Sequence, residues 1–232
     1  MSVNVFEPKS QFKAQSKEII KAIKKVLNSG NYILGKEVLK LEKNFSSIHN
    51  LNYGIAVKNG TDAISISLKV LGIKRGEEVI TTSHTALATI AAILNVGAVP
   101  VIIDIERDFY TLDPSLIEKA ITKKTRVILP VHIFGQCCNM IEIQKIAKKY
   151  KLNIIEDCSQ AHGAKINNRF IGTFGILSTF SFYPTKNLGA IGDGGMILTN
   201  NKNLEKKIRR YREYGWDKKR DSNKPGINSR LD

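Results

Sequence analysis

Apolar residues fall at helical spacing over 9–28, where Ile19, Ile20, Ile23, Val26 and Leu27 form one set that closes at Asn28-Ser29-Gly30. A second helix is predicted from Gly35, with Val38, Leu39, Leu41 and Phe45 as its apolar face. The pattern then changes to short apolar runs alternating with helices. Strands are expected at Tyr53–Val57, Glu78–Thr82, Val99–Asp104, Arg126–Ile133, Asn153–Glu156 and 176–182. Between them lie a helix after 58–62 running to Leu71, an apolar helix over Ala86–Val96, one opened by Asp113-Pro114, and an amphipathic one over Met140–Tyr150. Continuously apolar strands alternating with helices call for an α/β fold, a mainly parallel sheet between helical layers. Ligands of such sheets sit beyond the carboxyl ends of the strands.

Composition narrows the function classes. The 232 residues, 42% hydrophobic and 7% aromatic, suit a soluble globular protein. No apolar run approaches the roughly 18 residues of a membrane span. The start, Met-Ser-Val-Asn-Val-Phe-Glu-Pro, lacks the build of a signal peptide, so the cytoplasm is the expected location. Cys137, Cys138 and Cys158 have no metal-ligand spacing and read as reduced thiols, with no metal expected. The net charge of +15 raises nucleic-acid binding, which predicts a steep loss of affinity with salt. The lysines, however, are scattered over helices, as in Lys24-Lys25, Lys148-Lys149 and Lys206-Lys207, with no single basic block. No nucleic-acid partner is expected, and the charge suits a small anionic substrate.

Three groups past strand ends then demand attention. After 53–57 comes Asn59-Gly60-Thr61, a glycine and hydroxyl opening a helix, whose free amides and dipole suit an anion. A plain N-cap by Asn59 or Thr61 would read the same way. After 153–156 come Asp157 and Gln160; after 176–182 come Pro184 and Lys186, in a turn rich in glycine (189, 192, 194, 195). Each is common alone. Together they meet the needs of pyridoxal phosphate: a lysine amine for its aldehyde carbon, a carboxylate against its ring nitrogen, and neutral donors for its phosphate. Lys186, Asp157 and Gly60-Thr61 fill these roles, Ser181 adds a hydroxyl for the phosphate, and Gln160 can reach the ring hydroxyl.

The strings Asn-Gly-Thr-Asp-Ala (59–63), Pro-Val-His-Ile-Phe-Gly-Gln (130–136), Glu-Asp-Cys-Ser-Gln-Ala-His-Gly-Ala (156–164), Ser-Phe-Tyr-Pro-Thr-Lys-Asn-Leu-Gly (181–189) and Gly-Asp-Gly-Gly (192–195) resemble one family. It is the DegT/DnrJ/StrS group of nucleotide-sugar aminotransferases, of fold-type I. The resemblance runs from about residue 5 to the last residue. It implies pyridoxal 5'-phosphate as cofactor and amino transfer, from glutamate, to a keto-deoxysugar linked to a nucleotide, in amino-sugar and polysaccharide biosynthesis. By the same resemblance Lys186 is the Schiff-base lysine and proton shuttle, Asp157 pairs with the ring nitrogen, Gln160 holds the ring hydroxyl, and Gly60, Thr61 and Ser181 bind the phosphate. Asn228, in Gly-Ile-Asn-Ser-Arg-Leu-Asp (226–232), matches an asparagine that reaches the neighbour's phosphate across a homodimer interface; Arg230 shares that motif.

Two departures qualify the match. Ala86, in Thr-Ala-Leu-Ala-Thr (85–89), stands where the family commonly has an aromatic on the cofactor face, with His84 a candidate to compensate. The chain also stops inside the last motif. It is therefore expected to comprise an N-terminal helical segment (1–29) and a cofactor-binding large domain (30–232), with the small C-terminal domain missing. The alternatives are a truncated non-catalytic or regulatory fragment and a dehydratase acting on sugars with the same cofactor. Lys186 argues against the dehydratase, since the resemblance puts histidine there in such relatives.

Overall fold

The parallel core forms because four consecutive strand-to-strand connections carry helices, and a parallel pairing needs such a crossover. The computed structural model describes residues 6–217, 220–222 and 224–232. The first five residues of the 1–29 segment therefore lie outside it. The elements run α1 (Pro8–Ser29), α2 (Lys36–Ile48), β1 (Tyr53–Val57), α3 (Gly60–Val70), β2 (Glu78–Thr82), α4 (Leu87–Asn95), β3 (Val99–Ile103) and α5 (Pro114–Ala120). They continue with β4 (Thr125–Ile128), a 3-10 turn (Ile133–Gly135), α6 (Met140–Tyr150), β5 (Asn153–Asp157), the small hairpin β6 (Lys165–Ile166) and β7 (Arg169–Phe170), β8 (Leu177–Ser181), β9 (Gly195–Thr199) and α7 (Lys202–Tyr211).

Seven strands make one sheet in the order β1-β9-β8-β5-β4-β2-β3. All neighbours are parallel except β9, which runs antiparallel to both β8 and β1. The sequence pattern left β9 unrecognised behind its glycine motif. Its direction follows from the segment 182–194, which contains no helix to carry the chain back for a parallel pairing. Alternate strand residues face opposite layers. Ile55, Val57, Val127, Ile155, Leu177 and Ile197 join the core beneath α3, α4 and α7. Ile128 and Ile154 face α5 and α6, while Ala56, Phe180, Met196 and Leu198 face α2.

Three expectations are corrected. The strand expected over Arg126–Ile133 ends at Ile128. Pro130 has no N–H for a ladder, and the chain changes partner there: Leu129 N–H still donates to Ile80 O at 2.8 Å, whereas His132 N–H donates to Asp157 O at 3.0 Å. On α2, Leu39 is 54% exposed and the charged Glu42 is buried with Val38 and Phe45. On α1 no residue is buried, so Ile20, Ile23 and Leu27 form an apolar face open to solvent in this chain.

Candidate functional site

The carboxyl ends of β1, β5 and β8 open onto a cavity of about 280 Å³ lined by Gly60, Thr61, Asp157, Gln160, Ser181 and Lys186, together with Thr85, Ala86, Thr89 and Asp193. Six of the seven residues singled out from sequence thus meet at one rim. Asn228 does not. It pairs through its backbone with Glu213, its Oδ1 accepts from Arg230 Nε at 3.0 Å, and it is absent from the lining. Its neighbour Ser229 is buried and tied to the first turn of α3, donating to Asp62 Oδ2 at 2.8 Å and accepting from Lys58 N–H at 3.2 Å.

The start of α3 is built for close approach. Asn59 caps it, its side-chain oxygen accepting from Asp62 N–H at 2.8 Å. The amides of Gly60 and Thr61 come before Ala63, the first to find an intrahelical acceptor (Asn59 O, 3.1 Å), and point outward with the positive end of the dipole. A Cβ on Gly60 would lie 2.8 Å from Ser181 Cβ. One on Gly195 would overlap the carbonyl oxygen of Asn59. Both glycines let β8, β9 and the helix start crowd together, leaving a bare backbone edge.

Asp157 ends β5, buried, with Oδ2 accepting from Thr89 Oγ1 at 2.9 Å and Oδ1 from Ser159 N–H at 3.1 Å. Gln160 is oriented by Phe134, whose N–H donates to its Oε1 at 3.0 Å, so its amide N–H groups remain for the cavity. Lys186 sits in the turn after β8, where its N–H donates to Tyr183 O at 2.8 Å. Burial lowers the pKa of its amine, against the smaller opposing pull of the Asp157 charge. A lysine so placed carries more free amine at neutral pH than a solvated one.

Beneath this turn lies a cluster of rings. His162 packs against Phe180 and Phe182 with centroids 5.5 Å and 5.9 Å apart, and His49 and Phe45 complete the layer. The buried ring nitrogens of His162 make no close hydrogen bond, only weaker polar contacts to Asn187 and the Ser181 backbone. Ala86 caps α4 and lines the cavity, as expected of the residue that stands for an aromatic. His84 lies outside the lining, its Nδ1 bonded to Tyr110 O at 2.9 Å and its ring edge-on to Phe134. Thr85, Thr89 and Ser159 lie inside motifs singled out from sequence, but the sequence assigns them no role, because the contacts of Thr89 and Ser159 with Asp157 appear only once the chain is folded.

Deeper in the sheet, ligand atoms of His132, Glu156 and Cys158 lie within 4.8 Å of one another. Their hydrogen bonds make this a brace. Glu156 accepts from the amides of Gly172, Phe174 and Gly175 at 2.6–2.8 Å. His132 Nδ1 accepts from Cys138 N–H at 3.1 Å, which leaves its proton on Nε2, 3.3 Å from Glu156 Oε2. The lone pairs that a metal would need are already engaged. The three cysteines are free thiols, as expected. No helix among the described residues is long and apolar enough to cross a membrane.

Comparison with known proteins agrees with this geometry. The chain is 43% identical to a pleiotropic regulatory protein of Geobacillus stearothermophilus, an alignment covering 100% of this chain and 62% of that one. It is 40% identical to a dTDP-3-amino-3,4,6-trideoxy-alpha-D-glucose transaminase of Micromonospora megalomicea, again over 100% and 62%. Among solved structures, Streptomyces venezuelae DesV superposes with a TM-score of 0.95 at 41% identity, over 99% of this chain and 62% of that one. NtdA of Bacillus subtilis, solved with bound pyridoxamine phosphate, gives 0.89 at 36%, over 94% and 50%. The chain thus spans about three fifths of the length of the relatives it matches. The fold is that of fold-type I aminotransferases. Residues 13–232 match one family throughout, and the chain belongs to it: the DegT/DnrJ/EryC1/StrS aminotransferase family, whose cofactor is pyridoxal phosphate.

Proposed function

We propose that this chain is the cofactor-holding part of an aminotransferase that moves an amino group from glutamate to a keto-deoxysugar carried on a nucleotide. One observation carries the reading: a half-buried lysine, a buried carboxylate and an uncovered helix start converge on a single cavity. The residues fit pyridoxal phosphate. Gly60 and Thr61 amides with the Ser181 hydroxyl would hold its phosphate, Asp157 its ring nitrogen, and Gln160 its ring hydroxyl. When bound, the cofactor supplies an electron sink for a carbon that loses a proton.

The chain's own groups supply the rest. The lowered pKa of Lys186 raises the fraction of free amine, which would bond a carbonyl carbon with loss of water and later take or return a proton at the substrate carbon. Asp157, oriented by donors on both oxygens, would accept a hydrogen bond from a ring nitrogen opposite it. The net charge of +15 favours a substrate bearing phosphates. In this reading residues 1–29 form a helical segment attached to a cofactor domain of 30–232, and the protein works in the cytoplasm. Asn228 serves the cavity of a second copy in a homodimer, which accounts for its place outside the cavity of its own chain.

The test is a half-reaction. The purified chain is loaded with pyridoxal phosphate, and its visible absorption is followed as glutamate is added. The proposal expects a visible band that fades with glutamate and returns with a nucleotide-linked keto sugar. Absence of any visible band in the loaded wild-type chain would overturn it.

A further inference from the structure

The structure assigns Thr89 as the residue that positions Asp157, through a directed pair of hydroxyls that begins at Thr85. This rests on the cofactor reading above and adds a residue to it. Thr89 is buried in the first turn of α4, with its Oγ1 2.8 Å from Thr85 Oγ1 and 2.9 Å from Asp157 Oδ2. A carboxylate can only accept, so Thr89 spends its single proton on Asp157. The bond between the two threonines must then be donated by Thr85. Direction is fixed along the whole chain: Thr85 to Thr89 to Asp157.

Consequences follow for the acid. Its other oxygen accepts from Ser159 N–H at 3.1 Å, so the carboxylate is clamped from two sides, by α4 and by the residue two places beyond β5. A hydrogen bond to a carboxylate is stronger than one between neutral groups, so the two donors hold the orientation of Asp157 firmly. Thr89 therefore fixes the angle at which Asp157 presents its carboxylate to the cavity. Thr85 also lines the cavity, so the hydroxyl pair leads from its wall to the buried acid.

Thr89→Val keeps the shape of the side chain and deletes the donor. Pyridoxal phosphate affinity and the position of the visible band are measured for the wild type, Thr89→Val, Thr89→Ser and Thr85→Val, each with a thermal melt. The expected result is about tenfold weaker binding in Thr89→Val, equal to ~1.4 kcal/mol, with a shifted band. Thr89→Ser should return to the wild-type band and affinity, and Thr85→Val should lose about threefold. Equal affinity and an unshifted band in Thr89→Val would overturn the assignment while leaving the cofactor reading intact. Should Thr89→Val fail to fold, the serine and Thr85→Val variants decide: a serine variant that binds about tenfold more weakly than the wild type, or a Thr85→Val variant identical to wild type, overturns it. A wild-type chain that binds no cofactor fails the earlier reading instead.

Discussion

Replacing Glu42 by alanine should destabilise the fold by about 3–5 kcal/mol, the range for removing one partner from a buried ion pair. Glu42 is 3% exposed and holds three elements together. Its Oε1 accepts from Ala56 N–H of β1 at 2.9 Å and from Arg212 Nη1, just past α7, at 2.7 Å. Its Oε2 accepts from Arg209 Nη1 of α7 at 2.8 Å. Arg212 is itself buried; without Glu42 it keeps Ala56 O at 2.6 Å and, at 3.8 Å, the more exposed carboxylate of Glu213, neither of which replaces the close Glu42 contact. The variant thus takes the close counter-charge from a buried guanidinium and breaks the link from α2 through β1 to α7. Urea denaturation reads the loss as a lower midpoint at unchanged slope. Changing Glu42 and Arg212 together to methionine should cost less than Glu42→Ala alone, since no lone charge is left behind. A Glu42→Ala midpoint equal to that of the wild type would refute the role given to this pair.

Acid should weaken the fold through His162. Burial holds its pKa down at about 4, from an ordinary value of 6.5. The unfolded chain therefore takes up a proton that the folded chain refuses. The sign is that of a base whose folded pKa is depressed: its contribution is complete above pH 6.5 and is lost as the pH falls toward 4. A shift of that size corresponds to roughly 3 kcal/mol at 1.36 kcal/mol per unit. Melts of His162→Phe should show a flatter acid limb than the wild type over that window. Phenylalanine suits the site because Phe45, Phe180 and Phe182 already surround the ring. Parallel acid limbs in the two proteins would contradict the assignment. The location matters because Phe182, in contact with the His162 ring, leads directly into the turn that carries Lys186.

Much of this architecture was readable because the signals are local. The bounds of β1, β2 and α6 follow from apolar runs between glycine, asparagine and charged breaks. The convergence of Gly60, Asp157 and Lys186 was readable for a different reason: parallel strands must deliver their carboxyl ends to the same edge. What escaped depends on long-range partners. Glu42 looks like a surface residue of an amphipathic helix until the chain returns, at Arg209 and Arg212, to neutralise it. The apolar stripe of α1 reads as core by periodicity, yet periodicity does not supply the surface that would cover it. Strand β9 hides behind glycines whose purpose is close packing against Asn59, and Pro130 ends a run that hydrophobicity alone would extend. The role of Thr89 belongs to the same class: the 85–89 motif marks the residue, but only the fold brings Asp157 beside it.

The central claim is that one lysine of a lysine-rich chain is set apart by its surroundings. Its most direct test is to mix the chain with pyridoxal phosphate, reduce with borohydride, digest, and map the labelled lysine by mass spectrometry. The account predicts a label concentrated on the peptide containing Lys186 and missing from Lys186→Ala. A label spread over exposed lysines such as Lys21 and Lys145, and equal in both proteins, would contradict it.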